Sequence, residues 1–255
     1  MNQSELANSN EPAMNELLIS NQGGVRVLTM NRPDKRNALN TALTQALLDG
    51  LRAADADDSV GCVVLAGAGQ GFCAGADLSE FKDLTPDQAE RVSARAELTA
   101  ALHGIFPKMK TPVVTAIQGA AMGGGAGLAL AGDMAVMAES AKLGYPEVKH
   151  GIVAAIVMTN LTRQLGRKAA FELVGLGQPI GAARALELGM VNRVVPDADL
   201  MSATLAIAEA LAAVSPQAMT ATKQLFHQVS EMPFDAALEQ GKEANERMRS
   251  FRKPA

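Results

Sequence analysis

Two glycine-rich segments offer chemistry that rests on backbone N–H groups and not on side chains. Phe72-Cys73-Ala74-Gly75-Ala76-Asp77-Leu78 follows a buried-type strand and a glycine-rich loop. Its small residues let a ligand approach the main chain closely. Met122-Gly123-Gly124-Gly125-Ala126-Gly127-Leu128 follows a second such strand and opens a helix. The first N–H groups of a helix have no partner inside it and carry partial positive charge. Gly124 can therefore stabilise an oxyanion without a side chain. Neither segment is specific alone, because loop glycines are usually turn formers. The second has no Lys-Ser/Thr after it, so it is not a phosphate loop. It partly matches a dinucleotide fingerprint, but no βαβ unit with a ribose-binding acid follows it.

The side chains nearby are weaker candidates. Glu147 follows Pro146 and, taken alone, reads as a carboxylate in a surface turn. Cys73 has no histidine or acid placed to activate it, and reads as a small packing residue. Tyr145 is the only tyrosine and reads as a packed amphipathic side chain. His150 reads as a partly exposed histidine without a catalytic role. Asp133 is placed to cap or orient structure at the end of the glycine helix, and Asp77 to support the loop carrying Ala76.

The elements that must position these groups alternate. Val25–Met30, Val60–Ala66, Pro112–Ile117, Asp133–Ala138, Lys142–Val148 and Val191–Val195 read as strands. Leu39, Ala42, Leu43, Ala46, Leu47 and Leu51 share one helical face. Thr85-Pro86 reads as a capped helix start, with the helix running to Ile105. Further helices are expected over Gly123–Ala131, Val153–Leu165, Lys168–Leu173 and Ala182–Leu188, the last stopped by Gly189. From Asp197 the chain reads as all helical, with starts at Ser215-Pro216 and Pro233. This is an α/β core with right-handed crossovers and a helical appendage. The expected division is a disordered tail over 1–14, a core over 15–196 and a helical region over 197–255.

Bulk properties bound the partners. The 255 residues are 48% hydrophobic and 20% charged, with a net charge of −4. That balance suits an ordinary globular protein and gives no field to attract nucleic acid. Arg247, Arg249, Arg252 and Lys253 read as a solvated basic helix end. No apolar run is long and clean enough to span a bilayer. Two cysteines without metal-ligand spacing, and no secretory or transit signal, point to a cytoplasmic protein with no metal.

The set of motifs is more specific than its members. Asn31-Arg32-Pro33, Asn37-Ala38-Leu39, Phe72–Leu78, Gly119–Leu128, Gly144-Tyr145-Pro146-Glu147 and Ala183–Val195 occur in one order. This set, spanning roughly residues 16–230, resembles the crotonase (enoyl-CoA hydratase/isomerase) family. The resemblance implies a spiral of ββα units with a C-terminal helical trimerisation region, assembled as a trimer or a dimer of trimers. It implies an acyl-CoA substrate, with CoA as part of that substrate and no separate cofactor. It makes the Ala76 and Gly124 N–H groups the oxyanion donors. It sets the backbone of Ala74, Gly75, Ala76, Asp77 and Leu78 against CoA, and Arg36 and Ala38 near its mouth.

The family's hydratases use two glutamates. Pro146-Glu147 matches the second, which makes Glu147 the acid/base candidate; the first falls on Gly127, which has no carboxylate. Gly151-Ile152-Val153-Ala154-Ala155-Ile156 also departs, being bulkier than the proline and glycines those hydratases carry there. Similar single-glutamate patterns occur in family isomerases and in hydratases of the methylglutaconyl-CoA type. Three functions stay open. The first is hydration of a 2-enoyl-CoA by a single glutamate. The second is Δ3-Δ2 enoyl-CoA isomerisation, and the third a non-catalytic acyl-CoA-binding assembly protein.

Overall fold

The computed structural model describes residues 15–83 and 85–251. The expected tail over 1–14, and Arg252 and Lys253 of the basic cluster, lie outside them. The chain opens with β1 (Leu17–Gln22) and β2 (Val25–Met30), an antiparallel hairpin turned on Gly23-Gly24, with Gly23 at φ 56°. The Gly-Gly pair is a two-residue hairpin signal; β1 is an element the sequence reading above omits. Then α1 (Thr41–Ala56) begins at Asn40, whose side chain accepts from the Leu43 N–H. Its buried face, Leu43, Leu47, Leu48, Leu51 and Ala54, lies against β1, β2 and α2 (Ala89–Ile105).

β3 (Cys62–Gly67), β4 (Val113–Ile117), β6 (Met134–Ala138) and β9 (Arg193–Val195) extend the sheet in the order β1-β2-β3-β4-β6-β9. Every pair beyond the hairpin is parallel. β3 and β4 are buried along their whole lengths, which is why they read as unbroken apolar runs and not as alternating ones. A smaller sheet pairs β5 (Ala120–Met122), β7 (Lys142–Gly144) and β8 (Ile180–Gly181). Thus β4-β5 leads to α3 (Gly124–Ala131), and β6-β7 leads to the next helices. Each of these two units gives one strand to each sheet, and the β1-β2-α1 unit gives both of its strands to the large one, in the spiral expected. Because β5 stands between β4 and the glycine helix, this is also not a dinucleotide-binding βαβ unit.

Beyond shifts of one to three residues at element ends, three starts or stops differ from expectation. The strand read over 142–148 stops at Gly144, and Pro146–His150 is a 3-10 turn carrying Glu147. Proline has no N–H for a strand ladder but suits the first turn of a helix. The helix read over 153–165 begins only at Met158, as α4 (Met158–Gln164). At the next start, Thr85 makes no side-chain cap bond; a 3-10 turn over Pro86–Gln88 leads into α2. α5 (Arg167–Leu176) and α6 (Ala182–Glu187) follow close to their expected places, and Gly189 takes a left-handed φ of 71°.

α7 (Leu200–Ala212) packs across β3, β4 and β6, so the first helix of the expected appendage covers the large sheet. α8 (Pro216–Val229) and α9 (Phe234–Arg247) pack on each other. No single helix among the described residues is long and apolar enough to cross a membrane. Lys223 ties α8 to the sheet: its buried ammonium donates to the Thr111 carbonyl at 2.9 Å and to Asp133 at 2.7 Å. Asp133 also accepts from the Val113 N–H and lies 3.2 Å from His227 Nε2. Its role is therefore wider than capping.

Burial works to raise the Asp133 carboxyl, but His227, Lys223 and the Val113 N–H together hold it below the usual carboxylate range. A depressed folded pKa stabilises the fold above the unfolded value, and that contribution is lost as pH falls through the folded one. Lys223→Ala leaves Asp133 without its main counter-charge and is expected to cost about 3 kcal/mol of stability near neutral pH. Urea denaturation checks this; a loss under about 1 kcal/mol would make the pair energetically idle.

Candidate active site

The Ala76 N–H is aimed by a short braced loop. Leu39 N–H donates to the Gly75 carbonyl at 2.7 Å, and Asp77 N–H returns to the Leu39 carbonyl at 3.1 Å. On the other side Cys73 bridges Ala121, with Met122 N–H donating to the Cys73 carbonyl at 2.9 Å. Gly75 has a φ of 96°, and a Cβ on it would stand 2.7 Å from the Met122 carbonyl. That position is closed to any residue with a side chain.

Asn37 anchors the same region. It is fully buried and donates through its amide to the Ala68, Gly71 and Phe72 carbonyls while accepting from Arg32 N–H. Within the Asn37-Ala38-Leu39 motif it is the structural clamp. The Arg32 guanidinium bridges Asp77 at 2.9 Å and Glu16 at 3.0 Å. Ser79 and Arg32 hold the Asp77 carboxyl below its ordinary value. Asp77 thus supports the loop, as expected.

Gly124 begins α3 from the glycine loop, and its Cα region lies against Gly75 and Ala76. Among the described residues neither the Ala76 nor the Gly124 N–H donates to any acceptor. Gly123 N–H donates to the Gly144 carbonyl at 2.8 Å, tying the glycine loop to the segment that carries Glu147. Gly123 has a φ of 51°, and a Cβ there would stand 2.7 Å from Glu147 Oε1. The Glu147 carboxylate therefore rests over the start of the glycine helix.

Ala76, Gly124 and Glu147 line one cavity of about 430 Å³, together with Leu39, residues 152–157 and one face of α2. The other predicted positions flank it. Arg36 is exposed and in the left-handed region, and its carbonyl accepts from Ala74 N–H at 2.9 Å. Ala38 is buried, with its carbonyl taken by Arg32 Nη1. Leu78 is exposed. The 36–38 and 74–78 strips thus run side by side next to the cavity.

Glu147 is half-buried, and its Oε2 is shielded from solvent with no hydrogen-bond partner. Burial raises its pKa, outweighing its own backbone N–H and His150, which lower it. An acid whose charged form is destabilised in a cavity suits proton transfer. His150 is exposed. Tyr145 is fully buried with an unpaired hydroxyl, which burial and the Glu147 charge keep protonated. Cys73 is buried, donates to the Asn37 carbonyl at 3.1 Å, and has its thiol pushed up to about 12 by burial. It is a packing residue and not a nucleophile.

Gly127 leaves no vacancy. A Cβ there would lie 2.5 Å from Val157 Cγ1 and 2.8 Å from His103 Cε1. His103 and Arg95 are residues the motif reading passes over. Their signal was a polar stripe, Arg95, Thr99 and His103, at helical spacing along α2. His103 is buried with neither ring nitrogen partnered, and burial, then Arg95, push its pKa down to about 4. It is a neutral imidazole at neutral pH.

Comparison with known proteins identifies the family and its fold. The enoyl-CoA hydratase/isomerase family profile matches residues 20–252. The 2,3-dehydroadipyl-CoA hydratase of Escherichia coli K12 is 39% identical over 230 residues, 89% of this chain and 88% of its own. The mevalonyl-coenzyme A hydratase of Beauveria bassiana is 38% identical over 221 residues, 83% of this chain and 79% of its own. The crystal structure of an enoyl-CoA hydratase from Mycobacterium smegmatis superposes with a TM-score of 0.87 at 31% identity, covering 91% of each chain. With this fold, this match and this cavity, the chain belongs to the enoyl-CoA hydratase/isomerase (crotonase) family of enzymes.

Proposed function

We propose that the protein hydrates a 2-enoyl-CoA using Glu147 as its one carboxylate. The observation that carries this reading is the shared cavity of Ala76, Gly124 and Glu147. The two N–H groups receive the thioester oxygen and stabilise it as negative charge develops. Ionised Glu147 takes a proton from water as the water oxygen bonds to the β-carbon. The resulting enolate then takes that proton back from Glu147 at its α-carbon. The elements of water are added and Glu147 returns to its starting state. The backbone strips at 36–38 and 74–78 flank the cavity on the side assigned to CoA. Relatives named for 2,3-dehydroadipyl-CoA and mevalonyl-coenzyme A support hydration of a CoA thioester without fixing the acyl group. Exposed Phe226, Phe234 and Leu238 on α8 and α9 support assembly into a trimer or a dimer of trimers.

A second reading is favoured by one observation: Val157 and His103 fill the space beside Gly127. A lone carboxylate can also move a proton between the α- and γ-carbons. Mass spectrometry separates the readings. Hydration adds the mass of water to a 2-enoyl-CoA. Isomerisation leaves the mass unchanged in water and exchanges deuterium from heavy water. A binder does neither, yet is stabilised thermally by acyl-CoA.

The acid limb of the kcat/KM profile is expected to fall at a pH above the ordinary glutamate value. Glu147 must be ionised to act, and burial raises its pKa. A rate constant down to the pH of an unperturbed glutamate would contradict this.

A further inference from the structure

Among the described residues lining the cavity, Arg95 and Glu147 are the only ionisable ones. Glu147 stands with the two N–H donors. Arg95 stands on the α2 wall beside Val92, Ala96, Thr99 and Leu102, and the rest of the lining includes the apolar residues 152–157. Its side chain is only 12% exposed. Burying a guanidinium is costly unless its donors are satisfied.

Its donors are only partly satisfied. Nη1 donates to Thr99 Oγ1 at 2.5 Å and Nη2 to the Leu39 carbonyl at 2.9 Å. Nε is shielded from solvent and has no hydrogen-bond acceptor. Glu80 forms an ion pair with it at 3.6 Å, beyond hydrogen-bond length. Glu80 is already engaged with the Thr41 N–H at 2.9 and 3.0 Å and with the Thr41 hydroxyl. The hydroxyls on this wall add no free donor: Thr99 gives its proton to the Arg95 carbonyl and Thr44 to the Asn40 carbonyl. His103, one turn beyond Thr99, is neutral. The wall therefore presents one cation, paired only loosely with Glu80, across an apolar space from the oxyanion donors.

We propose that Arg95 is a specificity residue that binds a carboxylate at the far end of the acyl chain, so that the substrate is an enoyl-CoA ending in a carboxylate. The choice of thioester chemistry rests on the function proposed above; the choice of acyl end rests on Arg95 alone. A methyl-ended chain would leave the part-buried guanidinium with Glu80 at 3.6 Å as its one ion-pair partner, whereas a carboxylate adds an acceptor and a second counter-charge. Arg95 also braces the Leu39 carbonyl beside the oxyanion loop. A purely structural role would therefore weaken every substrate equally.

The test uses pairs of equal chain length. Saturated adipyl-CoA and hexanoyl-CoA are compared for binding by calorimetry, and the matching 2-enoyl thioesters for kcat/KM. The wild-type protein is expected to bind adipyl-CoA at least about 10-fold more tightly than hexanoyl-CoA. Arg95→Met is expected to lose about 10- to 100-fold on the carboxylate-ended member and less than about 3-fold on the methyl-ended one, with Arg95→Lys between. Equal losses on both, or a wild-type preference for hexanoyl-CoA, overturn the proposal. If Arg95→Met does not fold, the wild-type binding preference alone decides. Preferential adipyl-CoA binding without turnover upholds Arg95 while sinking the hydratase reading.

Discussion

Glu147→Gln is expected to lower kcat by about 100- to 10,000-fold while leaving KM within a few-fold. The amide keeps the size and shape of the carboxylate but cannot accept a proton from water. The change should not unfold the protein. Burial raises the Glu147 pKa, so at pH above its unfolded value the ionised side chain costs the fold stability. A neutral amide removes that cost, and the melting temperature is expected to hold or rise. Steady-state kinetics with a melting curve on the same sample gives both readouts. Turnover within about 5-fold of wild type would remove Glu147 from the chemistry, leaving the cavity to another proton carrier.

Gly127→Glu is expected to destabilise the fold instead of building a second catalytic acid. The first atom of the new side chain already meets Val157 Cγ1 at 2.5 Å, Val157 Cβ at 2.8 Å and His103 Cε1 at 2.8 Å. Overpacking of this kind costs about 1–3 kcal/mol, and a carboxylate buried beside a neutral imidazole adds desolvation to it. Val157→Gly removes both valine atoms from that list. Gly127→Glu with Val157→Gly is therefore expected to be more stable than the sum of the two single changes predicts, by about 1 kcal/mol or more. Urea denaturation of the four proteins closes the cycle. Additive losses would show that Val157 is not what excludes a side chain at position 127.

Much of the architecture is readable from local pattern. Buried parallel strands appear as apolar runs such as Val60–Ala66, and α1 shows its buried leucines at helical spacing. Short elements are harder, because two or three residues carry little periodic signal, as in β5 and β8. Apolar character misled over 153–157, where the side chains face a cavity from a loop and not from a helix.

The sequence by itself determined one free backbone donor, the Gly124 N–H, because a helix terminus after glycines is a local consequence of chain geometry; the Ala76 N–H was implied only by the family resemblance. The sequence also placed a carboxylate after Pro146 and none at position 127. Tertiary structure decided what those facts mean. Gly144 and Gly123 join two distant segments, so that Glu147 lies over the start of the glycine helix. Val157 and His103 close the space beside Gly127, and α2 turns Arg95 toward the cavity. Such proximities depend on strand register and helix packing across long stretches of chain, which no local spacing encodes.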